Sequence, residues 1–268
     1  MIIGNREFDT EKNTYIMGIL NVTPDSFSDG GKYNGMEQAL RHAQQMIAEG
    51  ADLIDVGGES TRPGHVQISD EEEIARVTPV IEALKKEFDI PISIDTYKSH
   101  VAEAALQAGA DLVNDIWGFK FDKKTALMTA KYNAACCLMH NKDEAVYNDF
   151  LEDMVSEMAE CVKIAREAGV ADDKIMLDPG VGFGKTYEMN LAAINHVDVL
   201  HRLGFPILLG TSRKSVIGNT LNLPADQRVE GTLATTVIGV MKNCAFVRVH
   251  DIKENKRIIQ MTKAILAH

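Results

Sequence analysis

The sequence predicts an α/β fold, a closed (β/α)8 TIM barrel preceded by a short N-terminal strand segment. Three observations carry that reading. Eight short apolar runs alternate with amphipathic stretches long enough for helices along most of the 268 residues. The runs are apolar at successive positions, as strands covered on both faces must be, and helices between them imply a parallel sheet. No Pro/Gly/Ser-rich linker breaks the alternation, so residues 1–268 are expected to form one domain. Eight such units in a chain of this length favour a closed barrel over an open, doubly wound sheet.

Residues 1–9 alternate enough to form an edge strand that plugs one end of the fold. The buried strands are expected at 15–22, 52–57, 91–96, 112–116, 135–140, 175–178, 206–211 and 246–250. Helices are expected at 37–49, 69–88, 98–108 and 149–168, among others. Ser69 with Glu72 three residues on forms a capping box, and the acids at 70–73 suit a helix's positive start. Gly50, Gly109, Gly169 and Gly204 stand where helices stop before the next strand. An internal echo supports repetition: Gly50-Ala51-Asp52-Leu53-Ile54-Asp55 returns as Gly109-Ala110-Asp111-Leu112-Val113-Asn114-Asp115.

Composition narrows the function. A net charge of -11 argues against nucleic acid or a membrane surface as partner, although a local basic pocket can still hold a small anion. Cys136, Cys137, Cys161 and Cys244 show neither a C-x-x-C pair nor zinc spacing, so free thiols in a reducing compartment are expected. The polar start (Arg6, Glu7, Asp9, Glu11) contains no apolar signal segment, and no run reaches membrane-spanning length. A cytoplasmic protein is the expectation.

The chemistry gathers where the strands end. Barrel enzymes place their sites at the C-terminal ends of the strands. Read in order, those ends carry Asn21, the Gly57-Gly58-Glu59 turn, Asp95, Asn114-Asp115, His140, Asp178, Thr211-Ser212, and Arg248 with His250. Buried polar groups are costly unless partnered, so a whole ring of them points to a ligand. The stretch Ile175-Met176-Leu177-Asp178-Pro179-Gly180-Val181-Gly182-Phe183-Gly184-Lys185-Thr186 is the centre of it. It fails as a phosphate-cradling P-loop, because Pro179 stands where the first Gly belongs, and its G-x-G-x-G is not the dinucleotide fingerprint. What is left is a carboxylate at a strand's end beside a loop of small residues that lets a ligand approach the backbone.

Three further loops add to the rim. The first, Thr23-Pro24-Asp25-Ser26-Phe27-Ser28-Asp29-Gly30-Gly31, is long, polar and rich in turn formers, and reads as a mobile lid. The second, Glu59-Ser60-Thr61-Arg62-Pro63-Gly64, carries a cation. The seventh, Gly210-Thr211-Ser212-Arg213-Lys214-Ser215, sets two cations and three hydroxyls at the start of a helix, an anion site with Ser212 as N-cap.

These motifs are similar, essentially end to end, to those of the dihydropteroate synthase family. The long first loop from Gly18 to Gly31 and the Asp55–Gly64 stretch are the most specific. Ser93-Ile94-Asp95-Thr96, Val113-Asn114-Asp115, Met139-His140, Asp178 to Lys185, Ser212 to Ser215 and Arg248 to Asp251 complete the match. After Met139-His140 the chain reads Asn141-Lys142-Asp143-Glu144, where many members carry a Gly- and Pro-bearing segment. The resemblance implies a cytoplasmic transferase, a barrel joining 6-hydroxymethyl-7,8-dihydropterin diphosphate to 4-aminobenzoate with Mg2+. It also implies an SN1-like departure of diphosphate, a homodimer and a target for sulfonamides.

On that resemblance, Asp178 grips the donor-rich edge of the pterin, Asn114 reads the adjacent edge, and Asp95 supplies a further acceptor. Lys214 covers the ring's carbonyl and N5 region. Arg248 and His250 alternate on one strand and so point the same way, toward the diphosphate, with Thr61 joining this group. Asp95, Lys214 and Arg248 are the expected catalytic residues, and Asn21 the Mg2+ ligand. For 4-aminobenzoate the expected contacts are Phe27, Thr61, Arg62, Pro63, Phe183 and Ser215, while Met139 packs under the pterin ring. His140 is given no catalytic role. A folate-dependent corrinoid methyltransferase would keep Asp95, Asn114 and Asp178, but should lack the Phe27 loop, the Ser-Arg-Lys-Ser loop and the Arg-Val-His strand.

Overall fold

The computed structural model describes residues 1–22, 31–59 and 67–268, with the side chains of 31–34 left aside. Two short strands, β1 (Ile2–Ile3) and β2 (Arg6–Glu7), precede the barrel strands β3 (Tyr15–Asn21), β4 (Leu53–Gly57), β5 (Ile92–Asp95), β6 (Leu112–Asp115), β7 (Ala135–Met139), β8 (Ile175–Asp178), β9 (Leu208–Leu209) and β10 (Phe246–Val249). Helices α1 (Gly31–Glu49), α2 (Asp70–Glu87), α3 (Ser99–Gln107), α4 (Lys124–Lys131), α5 (Phe150–Glu167), α6 (Tyr187–Asn195), α7 (Ser215–Leu221), α8 (Val229–Met241) and α9 (Ile252–Leu266) lie between and after them. The eight barrel strands are parallel and ordered β8-β7-β6-β5-β4-β3-β10-β9. A single parallel bridge, Leu177 to Ile207, closes the ring between β8 and β9. The fold is thus a TIM barrel.

Side chains of a strand alternate between its faces, and both faces here are apolar. Ile16, Ile54, Ile94, Val113, Leu177 and Val247 point outward into the layer of helices. Met17, Leu53, Leu112, Met176, Leu208 and Phe246 point inward and fill the lower barrel. Ile3 and Phe8 close that lower core from beneath, both almost fully buried. The N-terminal segment therefore plugs the barrel as expected, but not as an edge strand. β1 and β2 pair only with each other, antiparallel, because a closed barrel offers no edge to join.

The internal echo has a structural cause. Asp52 and Asp111 each sit one residue before a strand and accept the backbone N–H of the neighbouring one, Ile16 at 2.9 Å and Ile92 at 2.8 Å. Each also takes a cation, Arg6 at 3.3 Å and Lys85 at 2.9 Å respectively. The preceding glycines, Gly50 and Gly109, have φ of +105° and +108°, where a side chain would be strained. Ser69 caps α2 through a 3.2 Å bond from Glu72 N–H, the N-cap half of the expected capping box, while the Glu72 carboxylate pairs with Arg76. All four cysteines are free and buried. Among the described residues no helix is long and apolar enough to cross a membrane.

Candidate active site

The inward alternation that fills the lower barrel with carbon puts polar groups one step higher. Two residues beyond Leu53, Ser93, Leu112, Cys137, Met176 and Phe246 come Asp55, Asp95, Asn114, Met139, Asp178 and Arg248. Strand geometry thus delivers three carboxylates, a carboxamide and a guanidinium to one inner layer.

They meet there. Arg248 donates from Nε to Asp55 Oδ2 at 2.6 Å and from Nη2 to Asp95 Oδ2 at 2.7 Å. Asn114 Nδ2 donates to the same Asp55 oxygen at 3.1 Å, and a carboxylate only accepts, so the amide oxygen of Asn114 must face away. Asp55 has no exposure at all. The sequence reading gave it no role, although its place two residues before Gly57 on the same inward register was visible. Asp55 Oδ1, Ser93 Oγ and Asp95 Oδ1 are buried with no hydrogen-bond partner among the described residues. Such orphaned acceptors call for a ligand or water.

Asp178 stands on the other side of the space. Its Oδ1 accepts the Gly180 N–H at 2.7 Å. A Cβ placed on Gly210 would lie 3.2 Å from Asp178 Oδ2 and 3.9 Å from Arg248 Cβ, so both residues border one small volume. On Gly57 it would lie 3.6 Å from Asn21 Oδ1 and 3.8 Å from Asp95 Oδ2, which brings Asn21 to the same rim. Lys214 reaches in from the seventh loop, donating to the Val181 carbonyl with its ammonium 4.8 Å from the Phe183 ring centre. Phe183 itself packs against the buried cluster of Tyr97, Ile116 and Met139.

Burial raises the pKa of Asp95 to about 7, with Arg248 opposing and Asp55 adding to the rise. It also raises that of Asp178, against Lys214, the Gly180 N–H, Lys185 and Arg248. Burial lowers Lys214 to about 8, against Asp178. Burial alone would lower Arg248, but Asp55 and Asp95 lift it above its ordinary value. The site therefore holds groups that change charge near neutrality, a common mark of a functional centre.

The seventh loop differs from expectation. Ser212 is not the N-cap of α7; its hydroxyl pairs with His250 Nδ1 at 2.9 Å and accepts the His250 N–H at 3.2 Å. Lys214 occupies the cap position, without a side-chain cap bond. Arg213 turns away to Asp251 at 3.1 Å, so of the loop's two cations only Lys214 faces the inner layer. The cause is a partner distant in sequence: Asp251, after β10, offers Arg213 a fork-like acceptor. Ser215 is the first residue of α7 and is exposed. Phe27, Thr61, Arg62 and Pro63 lie outside the described residues, as do most of the first and second loops.

No group of three His, Cys, Asp or Glu among the described residues could hold a metal. Asn21 is exposed at the end of β3 and offers one neutral oxygen. That donor suits a hard divalent ion whose other ligands are phosphate and water, and it does not suit a metal held by protein alone.

Comparison with known proteins agrees with this geometry. The family model for pterin binding enzymes matches residues 17–250. A dihydropteroate synthase from Clostridium beijerinckii is 61% identical over 267 residues, 99% of each chain. A dihydropteroate synthase from Clostridium difficile, crystallised in the presence of pteroic acid, superposes with a TM-score of 0.94 at 53% identity, covering 97% of this chain and 99% of its own. One from Xanthomonas albilineans with 4-aminobenzoic acid superposes at 0.91 and 37% identity, over 96% and 94%. A shared barrel alone would show little about chemistry, but identity this high over whole chains shows the family. The chain belongs to the dihydropteroate synthase family of pterin-binding enzymes, and it forms dihydropteroate in folate biosynthesis.

Proposed function

We propose that the inner layer divides the work between the two ends of one substrate, 6-hydroxymethyl-7,8-dihydropterin diphosphate. Asp178 grips the donor edge of the ring in paired, charge-assisted hydrogen bonds, and the outward amide oxygen of Asn114 accepts from the adjacent edge. Asp95 offers its unpartnered Oδ1. Lys214 leaves the Val181 carbonyl to cover the ring's carbonyl and N5 region. Arg248, through the guanidinium edge turned from its two acids, and His250 take the diphosphate, with Thr61 assisting. The observation that carries this division is the nearness of Asp178 and Arg248 to the one space above Gly210.

Departure of diphosphate from the carbon attached to an electron-rich ring leaves positive charge on the pterin, an SN1-like course. Asp95, once ionised, offsets that charge, and Arg248 holds the negative charge forming on the leaving group. The arylamine nitrogen of 4-aminobenzoate then forms the new C–N bond with its own lone pair and afterwards loses a proton. No strong base is needed. Phe183 packs against the arylamine ring with Phe27 and Pro63, while Thr61, Arg62 and Ser215 hold its carboxylate side. Mg2+, where bound at Asn21, supplies charge neutralisation to the phosphate oxygens. A sulfonamide, which copies the arylamine, competes at the same place.

The test mixes the protein with the pterin diphosphate, 4-aminobenzoate and Mg2+ and follows dihydropteroate, omitting each component in turn. Product formed without the arylamine or the diphosphate would defeat the reading. Metal binding has its own readout: calorimetric affinity for the pterin diphosphate should rise with Mg2+ in the parent and respond much less in Asn21→Ala. The proposal extends to a single domain over 1–268, to a reducing, cytoplasmic setting suited to four buried thiols, and to a homodimer. An apolar groove of about 500 Å3 between α6 and α8, lined by Leu191, Ile194 and Ile238, is the face a second copy would cover. Sedimentation of the parent and of Ile238→Glu decides that point.

A further inference from the structure

Lys185 belongs to the Gly184-Lys185-Thr186 sequence that looked like the end of a P-loop, and neither polar residue is available to a phosphate. Thr186 caps α6 by accepting the Met189 N–H at 3.2 Å. The Lys185 ammonium is turned inward onto four acceptors: the carbonyls of Gly180 and Phe183, both at 2.9 Å, the carbonyl of His140 at 3.3 Å, and His140 Nδ1 at 2.9 Å. The Glu157 carboxylate beside Nε2 only accepts, so Nε2 carries the proton of the neutral imidazole and Nδ1 is left to accept from Lys185. That N–H donates to Glu157 Oε2 at 2.9 Å, and Glu157 Oε1 takes Lys142 Nζ at 2.6 Å. His140 is fully buried and kept neutral, its pKa pushed down to about 2 by burial and then by Lys185, Lys120 and Lys142.

This chain of contacts joins two loops. The turn after β8 crosses directly over the fifth loop: a Cβ on Gly180 would overlap the His140 carbonyl oxygen, and one on Gly184 the Lys142 carbonyl oxygen. Tyr147 adds a 2.7 Å bond to the Gly184 carbonyl. The same turn carries Asp178, the Val181 carbonyl that holds Lys214, and Phe183. We propose that Lys185 is a positioning residue, which, braced through His140 by Glu157, fixes the turn after β8 against the fifth loop and so sets where Asp178 meets the pterin. Lys185 touches no substrate. The inference rests on Asp178 as the group that grips the pterin.

The experiment measures, for the full-length protein, calorimetric affinity for 6-hydroxymethylpterin, which lacks the diphosphate, and inhibition by inorganic diphosphate with Mg2+. Lys185→Met should weaken pterin binding about tenfold, the loss of charged hydrogen bonds, and leave the diphosphate constant within about twofold. Glu157→Gln keeps the shape of the brace and removes its charge, and should weaken pterin binding about threefold in the same sense. Parental pterin affinity in these variants overturns the assignment, as does an equal loss for both ligands, which general loosening would give. If Lys185→Met does not fold, Glu157→Gln alone decides. A parent protein that binds no pterin would instead overturn the role of Asp178 beneath it.

Discussion

Asp95 sets the acid side of the pH profile. Burial first, and then Asp55, raise its pKa to about 7, so its ionised fraction grows as pH rises through that value. Positive charge on the pterin is offset only by the ionised form, so kcat/KM should climb toward neutrality and level off above it. Asp95→Asn should lower turnover and abolish that limb; an unchanged acid limb in the variant would remove Asp95 from this role. Lys214, lowered to about 8 chiefly by burial, loses its charge as pH rises further, so the plateau should give way to a fall above about pH 8. Asp178→Ala should weaken pterin binding by about 100-fold or more, the loss of a bidentate charged contact, with the melting temperature little changed. Titration with the pterin alone checks it. Asp178, Asn114 and Arg248 were legible in the sequence as strand-end polar groups. Asp55 was not singled out, because its importance lies in what it holds, Arg248 and Asn114, and partners distant in sequence leave no local signal.

Among the elements, the N-terminal hairpin and the stem of the second loop bear the clearest loads. Phe8 has 1% of its surface exposed and packs on Tyr15 and Phe246 at ring distances of 4.8 Å and 5.4 Å. Phe8→Ala should cost about 3–5 kcal/mol in urea unfolding, since it leaves a cavity against Tyr15 and Phe246 at the base of the barrel. Lys98 is buried between Glu59 at 2.6 Å and Glu73 at 2.8 Å and also binds the Ile68 carbonyl at 2.8 Å. Tyr97 donates to Glu59 at 2.7 Å, and Glu59 accepts the Ile68 N–H at 3.0 Å. The cluster thus ties the end of the β4 connection to the start of α2. Lys98→Met should destabilise the fold by about 3–5 kcal/mol, because two buried carboxylates lose their shared cation; a variant as stable as the parent would show that the acids are not held charged. Periodicity and end signals disclosed every barrel strand, to within one residue at each end for all but one. β9 was the exception, expected over 206–211 and observed only at Leu208–Leu209, because ladder pairing there ends early.

For the whole molecule, the weakest line of the barrel runs between β8 and β9, where one bridge does the work of a ladder. Asp178 and Lys214 stand on opposite sides of that seam, so a ligand that touches both spans it. Amide hydrogen exchange should be fastest among barrel strands at Leu177 and Ile207 in the free protein. A pterin at about 100 times its Kd should add protection there of up to about 2.7 kcal/mol, and more than at the β3–β4 pair. Uniform protection around the ring would count against this.

The sequence alone determined that a parallel barrel forms and that its strand ends are polar, because both follow from periodicity within short windows of chain. It also set which residues share the inner face, since alternation along a strand is a local rule. Only the tertiary structure decided how those residues pair: that Ser212 serves His250 and leaves α7 uncapped, that Arg213 turns out and Lys214 in, and that Lys185 is spent on carbonyls. Each outcome depends on a partner from another strand or loop, His250, Asp251, Val181 or, for Lys185, His140, and the closing of the barrel, which no local pattern encodes, brings donor and acceptor together.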